Sequence, residues 1–151
     1  MSIHDRLRAH GITLPKAAAP VASYVPVNVD GHTAYVSGQL PFVDGELVTG
    51  KLGDTVTLEQ GQEAARACGL MILAQLEAAG LLERVSHVVK LGGFVASTSD
   101  FTDQPKVANG ASDLMVEVFG DAGKHARSAV GVPVLPLDAA VEVDAIIALK
   151  A

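Results

Sequence analysis

The stretch Val85-Ser-His-Val-Val-Lys-Leu-Gly-Gly-Phe-Val-Ala-Ser97 decides the fold. Val88-Val89, Leu91 and Phe94-Val95 make it a strand, and Gly92-Gly93 marks a bulge or a close backbone approach. A helical pattern stands on each side. Upstream, Thr57-Leu-Glu-Gln60 reads as a capping box, in which the Thr57 hydroxyl accepts from the Gln60 amide and Gln60 reaches back to the cap amide. Ala65, Cys68, Ile72, Leu76 and Ala79 then recur at helical spacing, and Gly80 suits the position just past the end. This predicts a helix over Leu58 to Ala79. Downstream, Val107, Ala111, Leu114, Met115 and Val118 form one apolar face, Pro105 fits a first turn, and Gly120 and Gly123 punctuate the end. The second helix is expected over about Gln104 to Phe119.

Further out on the N-terminal side, Tyr24-Val-Pro-Val-Asn-Val-Asp-Gly-His-Thr-Ala-Tyr-Val-Ser37 places two β-rich runs around Asp30-Gly31. That dipeptide suits a type I′ hairpin turn, whose two central residues need positive φ. Pro26 cannot donate to a ladder and puts the first strand at an edge. A second turn at Asp44-Gly45 separates Leu40–Val43 from Glu46–Val48. On the C-terminal side come two strands, about Arg127–Leu135 and Ala140–Leu149, the second alternating Val141, Val143 and Ala145 with Glu142 and Asp144. A short helix from about Ile3 to His10, closed by Gly11, forms an N-terminal extension over residues 1–20. The order ββαβαββ is α+β. Its two main helices can cover only one face of the sheet. The other face still carries apolar residues, which predicts a homo-oligomer.

The chain has 151 residues, one domain by size. With 49% hydrophobic and 19% charged residues it lacks the composition of a disordered chain. Its 11 basic and 17 acidic residues leave a net charge of −6, which argues against a nucleic-acid partner. A single cysteine, Cys68, excludes an intrachain disulfide and a cysteine-rich zinc site. No apolar run approaches the roughly 18–20 residues that span a bilayer, and the charged Met1–His10 is no secretory signal. The expectation is a cytoplasmic protein with no membrane partner.

Few residues invite chemistry. His4, His10, His32, His87 and His125 show no metal-ligand spacing, so no metal is expected, and only His125, two residues before Arg127, merits attention. Cys68 lies among Ala and Ile and reads as core. Arg127 opens the otherwise apolar run Arg-Ser-Ala-Val-Gly-Val-Pro-Val-Leu-Pro136 and needs an anionic partner. That partner is either Glu142 or Asp144 on a neighbouring strand, or a ligand carboxylate gripped by the guanidinium fork. At Ser37-Gly38-Gln39 the glycine would let a ligand approach the backbone, or would simply mark a bend.

At these residues the sequence resembles the Rid family, the reactive intermediate deaminases also called YjgF-like proteins. The resemblance covers about Tyr24 to Leu149. It rests on Tyr35-Val-Ser-Gly-Gln39 with Leu40-Pro41, Glu77-Ala-Ala-Gly-Leu81, Val88-Val89-Lys90, Asp100-Phe101, Ala126-Arg-Ser-Ala-Val130, Leu135-Pro136 and Val141-Glu-Val143. It implies a fold similar to trimeric chorismate mutase: a mixed sheet with two helices on one face, in a homotrimer with ligand clefts between subunits. It implies hydrolysis of enamines and imines such as 2-aminoacrylate to a 2-keto acid and ammonia, a 2-iminobutanoate/2-iminopropanoate-type deaminase without metal or organic cofactor.

By the same resemblance Arg127 grips the substrate carboxylate and Glu142 positions or activates water. Ser37 and Gly38 line the cleft, Tyr24 stands at its rim, and Asn109 corresponds to a cleft asparagine. The chain also departs from the family pattern. Ala129 replaces a common cysteine, Gly131 an often acidic residue, and His125-Ala-Arg-Ser128 a common Pro-Ala-Arg-Ser. These departures suggest a divergent subgroup. They leave two alternatives to deamination: non-catalytic binding of small carboxylates, and endoribonuclease activity.

Overall fold

A computed structural model describes residues 1–20 and 22–151. Helix α1 spans Ile3–Ala9. Strands β1 (Val27–Asp30) and β2 (Thr33–Gln39) are followed by the two-residue strands β3 (Phe42–Val43) and β4 (Glu46–Leu47). Then come α2 (Leu58–Ala78), β5 (Val85–Ala96), α3 (Gln104–Phe119), β6 (Ala126–Val132) and β7 (Val141–Leu149). The main sheet has the order β1-β2-β7-β5-β6, with β5 and β6 parallel and every other pair antiparallel. A parallel pair needs a crossover, and α3 supplies it between β5 and β6. The order ββαβαββ is as the pattern predicts, and α2 and α3 lie on the same face.

Local chemistry sets the boundaries. Thr57 Oγ1 accepts from the Gln60 amide (3.1 Å) and Gln60 Oε1 from the Thr57 amide (2.9 Å), so the α2 capping box forms in full. Gly80, at φ 72°, follows the C-cap Ala79. The first hairpin differs from expectation. Asp30 pairs with Thr33, so the loop is Gly31-His32, one residue later than Asp30-Gly31. Only Gly31 has positive φ there, which is what a glycine-first turn of the II′ kind requires. The doubly left-handed pair occurs instead at Asp44 (φ 50°) and Gly45 (φ 81°), between β3 and β4. β1 is an edge strand but begins only after Pro26, so Tyr24 lies outside the ladder. β6 stops at Val132 instead of running to Leu135, because Pro133 has no amide to continue it.

The core lies between the sheet and the helices. Val141, Val143, Ala145, Ile147 and Leu149 of β7 are buried against α2, in one core with Ile72, Leu73 and Leu76 of α2 and Leu114 and Met115 of α3. Small residues let α2 and α3 approach closely. A methyl group at Gly110 would overlap the Gln62 carbonyl, and one at Gly69 would meet Leu114. The richness in Gly and Ala is therefore a packing requirement. The opposite face is only partly covered, with Tyr35 and Val130 each 46% exposed and Phe94 and Ile146 half-buried. No helix among the described residues is long and apolar enough to cross a membrane.

The N-terminal segment is held at two places. Gln75 Nε2 donates to the Ala18 carbonyl (2.8 Å). His4 bridges Glu83 and Glu77, tying α1 to the far end of α2. The bond to Glu83 and then that to Glu77 raise the His4 pKa above its ordinary value. Burial of Glu83 opposes its ionisation, but amide bonds from His4 and Ile3 outweigh this and hold its carboxyl low.

Two predictions follow from these contacts. The His4 contribution is complete below about pH 6.5 and is lost as pH rises through the raised value. The Glu83 contribution is complete above about pH 4.5 and is lost as pH falls through the lowered value. The melting-temperature gap between wild type and His4→Ala should thus be largest between pH 4.5 and 6.5 and shrink on either side; a gap that widens above pH 8 contradicts the clasp. Gly110→Ala should cost about 1–3 kcal/mol in denaturant unfolding, because the overlapped atom is backbone and cannot rotate away.

Candidate functional site

The two faces of the sheet carry different chemistry. On β7 the alternation that buries Val141 and Val143 turns Glu142 and Asp144 to the face away from the helices. Each carboxylate sits over a glycine on the adjacent strand. A Cβ at Gly38 would overlap the Glu142 carboxylate, and one at Gly92 would overlap that of Asp144. Both are half-buried. Burial first, and then the neighbouring Asp144 charge, raise the pKa of Glu142. Burial also raises Asp144, against the opposing effects of the Gly92 amide and the Lys90 charge. A half-buried carboxyl with a raised pKa holds or passes a proton more readily than an exposed one.

Beside Glu142, the end of β2 is tied to the preceding segment. Ser37 Oγ donates to the Val25 carbonyl (2.8 Å), and the Ser37 amide to that of Pro26 (2.9 Å). Tyr24, 51% exposed, immediately precedes this joint. Ser37, Gly38, Glu142 and the Tyr24 segment thus gather at one end of β2 and β7. Gln39 turns inward and is buried, with its Nε2 donating to the Ser37 carbonyl.

Arg127 lies elsewhere. It stands in register with the buried Leu91, on the helix side of the edge strand β6. Its Nη1 donates to Asn109 Oδ1 (2.8 Å) and Ser112 Oγ (3.1 Å), both on α3. The internal-carboxylate alternative fails: Glu142 and Asp144 occupy the other face, and no described carboxylate pairs with Arg127. Both bonds use Nη1. Among the described residues, nothing engages Nε or Nη2, so that edge of the guanidinium remains for a second partner. A cleft of about 250 Å³ opens here, lined by Ser112, Asp113, Val116, Lys124, His125 and Arg127.

Asn109 is therefore beside Arg127, while Tyr24, Ser37, Gly38 and Glu142 form a separate group at β7 and β2, two and three strands away. Ser112 escaped the sequence reading, although its position three residues after Asn109 put it on the same helix face. Cys68 is fully buried, and burial, then the Glu142 charge, push its thiol pKa up, which matches its reading as core. Gly131 is not an empty position: the Gln104 amide and the Ser97 hydroxyl occupy the space that a side chain would need. A larger groove of about 920 Å³ lies between residues 13–18, the β3–β4 turn and α2. It contains none of these site residues, and its rim ion pair, Arg66 with Glu117, is already closed.

This mixed sheet with helices packed on one face is the chorismate-mutase-like fold of the Rid proteins. Residues 4–149 match the family described as "YjgF/chorismate mutase-like, putative endoribonuclease", and the chain belongs to that family. It is 54% identical over 147 residues to Protein TCP17 of Trypanosoma cruzi, covering 95% of this chain and 92% of that one. It is 34% identical over 141 residues to the 2-iminobutanoate/2-iminopropanoate deaminase of Dermatophagoides farinae, covering 92% and 95%. Among solved structures, a protein of unknown function from Agrobacterium tumefaciens is 47% identical, with a TM-score of 0.90 over 98% of this chain and 92% of its own. Escherichia coli TdcF with bound serine is 26% identical, with a TM-score of 0.66 over 90% and 94%. The drop from 0.90 to 0.66 fits a divergent subgroup of the family.

Because the folded pKa of Glu142 is raised, its contribution to stability is best below about pH 4.5 and is lost as pH rises through the folded value. Glu142→Gln should melt at or above the wild-type temperature at pH 7.5, with the difference closing near pH 4. A variant that melts well below wild type at pH 7.5 contradicts the raised Glu142 pKa.

Proposed function

We propose that this protein hydrolyses small enamines and imines that carry a carboxylate, such as 2-aminoacrylate, to the 2-keto acid and ammonia. The observation that carries this reading is the state of Arg127. Its Nη1 is pinned to α3, its Nε and Nη2 have no partner among the described residues, and the side chain lines a small cleft, which leaves a two-nitrogen edge of the kind that grips a carboxylate. Arg127 holds the substrate carboxylate and fixes the imine carbon. Glu142, with its raised pKa and its place over Gly38, handles the water that adds to that carbon. Ser37 and Gly38 offer backbone groups to the substrate, Tyr24 closes the rim, and Asn109 orients the arginine.

In a single chain, Arg127 and Glu142 point from opposite faces of the sheet. The reading therefore takes the cleft as lying between subunits of a homotrimer, with the half-covered face of Tyr35, Phe94 and Ile146 buried by assembly. The resemblance to the mite deaminase and to a relative crystallised with the small carboxylate serine supports this substrate class. A second reading, carboxylate binding without turnover, is favoured by Ala129 and Gly131, since neither adds a proton-carrying group to the cleft side of β6. Ribonuclease activity gains nothing from a chain of net charge −6.

The experiment is a coupled assay in which 2-aminoacrylate is generated in situ. The purified protein should release ammonia faster than buffer, and Arg127→Ala should lower kcat/KM at least about 100-fold, as loss of a charge-assisted bidentate anchor implies. Keto-acid binding in calorimetry with no acceleration of ammonia release favours the binding reading. Binding that survives Arg127→Ala removes both.

A further inference from the structure

We propose that Ser112 and His125 are positioning residues for Arg127, forming a relay that holds its guanidinium in the carboxylate-binding orientation. The inference rests on the reading of Arg127 as carboxylate anchor and adds two residues that this reading does not need. His125 Nδ1 lies 2.6 Å from the Gly123 carbonyl oxygen. A carbonyl can only accept, so Nδ1 carries a proton. In the neutral ring Nε2 is then an acceptor, and the Ser112 hydroxyl donates to it across 2.8 Å. With its single proton committed to His125, Ser112 Oγ presents its lone pairs to Arg127 Nη1 at 3.1 Å. The relay runs from a buried backbone carbonyl through His125 and Ser112 to the arginine, and Asn109 Oδ1 holds the same nitrogen at 2.8 Å.

The elements make this arrangement rigid. His125 immediately precedes β6 and Arg127 is the strand's second residue, two positions on, and both side chains meet Ser112 on the helix side. Asn109 and Ser112 are three apart on α3, so both face β6. Without the ring, the Ser112 hydroxyl could rotate and point its own proton at Arg127. Without the hydroxyl, Nη1 would keep one partner and the long side chain could swing about Asn109. The other charged groups at the cleft leave the arginine alone: Lys124 pairs with Asp121, and Asp113 has no bond to Arg127 among the described residues. His125 thus caps the turn at Gly123 and enters the cleft as well.

The test measures two quantities on full-length wild type, Arg127→Ala, Ser112→Ala, Ser112→Thr and His125→Ala. The first is the dissociation constant for 2-oxobutanoate by calorimetry, with kcat and KM for any imine turnover. The second, which needs no ligand, is the rotation rate of the Arg127 guanidinium and the ring nitrogen shifts of His125 by 15N NMR. The relay predicts roughly tenfold weaker binding and higher KM at near-constant kcat in Ser112→Ala and His125→Ala, with recovery in Ser112→Thr, as loss of one bond to a charged group implies. It also predicts faster guanidinium rotation and loss of the Nε2 hydrogen-bond shift in Ser112→Ala. Wild-type affinity in Ser112→Ala, where Arg127→Ala abolishes binding, overturns the relay and leaves the anchor standing. If wild type binds no keto acid, the functional reading fails, and the rotation rate alone decides the relay: unchanged rotation in Ser112→Ala overturns it.

Discussion

The alternation along β7 is the constraint on which the rest of this structure depends. β7 lies between β2 and β5, so it is bonded on both sides, and its inner face is buried against α2. Its odd-numbered residues are wholly apolar and close the core, each burial contributing about 1–3 kcal/mol relative to exposure. A slip of one residue would bring Glu142 and Asp144 into that core, at a cost no partner there could offset. The register is therefore fixed, and with it the placement of both carboxylates on the opposite face, each over a glycine that leaves room for it.

Much of this was legible in the residues. The element order, the α2 capping box, the ends of both main helices and the inward side of β7 all follow from local spacing. The first hairpin turn did not, because Asp30-Gly31 and Gly31-His32 both satisfy short-range turn chemistry. The register was decided by the pairing of β2 with β7, which is non-local. The early stop of β6 was readable in principle from Pro133, but the apolar run Val132 to Leu135 obscured it.

The site was legible as residue types but not as an arrangement. Arg127 was conspicuous as an arginine at the mouth of an apolar strand. The sequence left open whether Glu142 or Asp144 would neutralise it, since strand order is needed to see that they lie on opposite faces. Ser112 was invisible for the same reason: a serine within a helix acquires meaning only once α3 is docked beside β6. The glycines at 38 and 92 read as places for close ligand approach or bulges, whereas in the chain they receive carboxylates.

The proposed site is divided between two places: Arg127 at β6 and α3, proposed as the anion anchor, and Glu142 at β2 and β7, proposed to handle the proton. In the proposed homotrimer, subunits complete one another, the arginine of one chain serving with the carboxylate of the next. Co-assembly of Arg127→Ala chains with Glu142→Gln chains tests this most directly, by measuring imine hydrolysis of the mixed oligomer against each variant alone. In an equal mixture, about one quarter of the interfaces would pair an intact arginine with an intact carboxylate, restoring about that fraction of the wild-type rate. A mixed assembly as inactive as its parents would contradict the divided site.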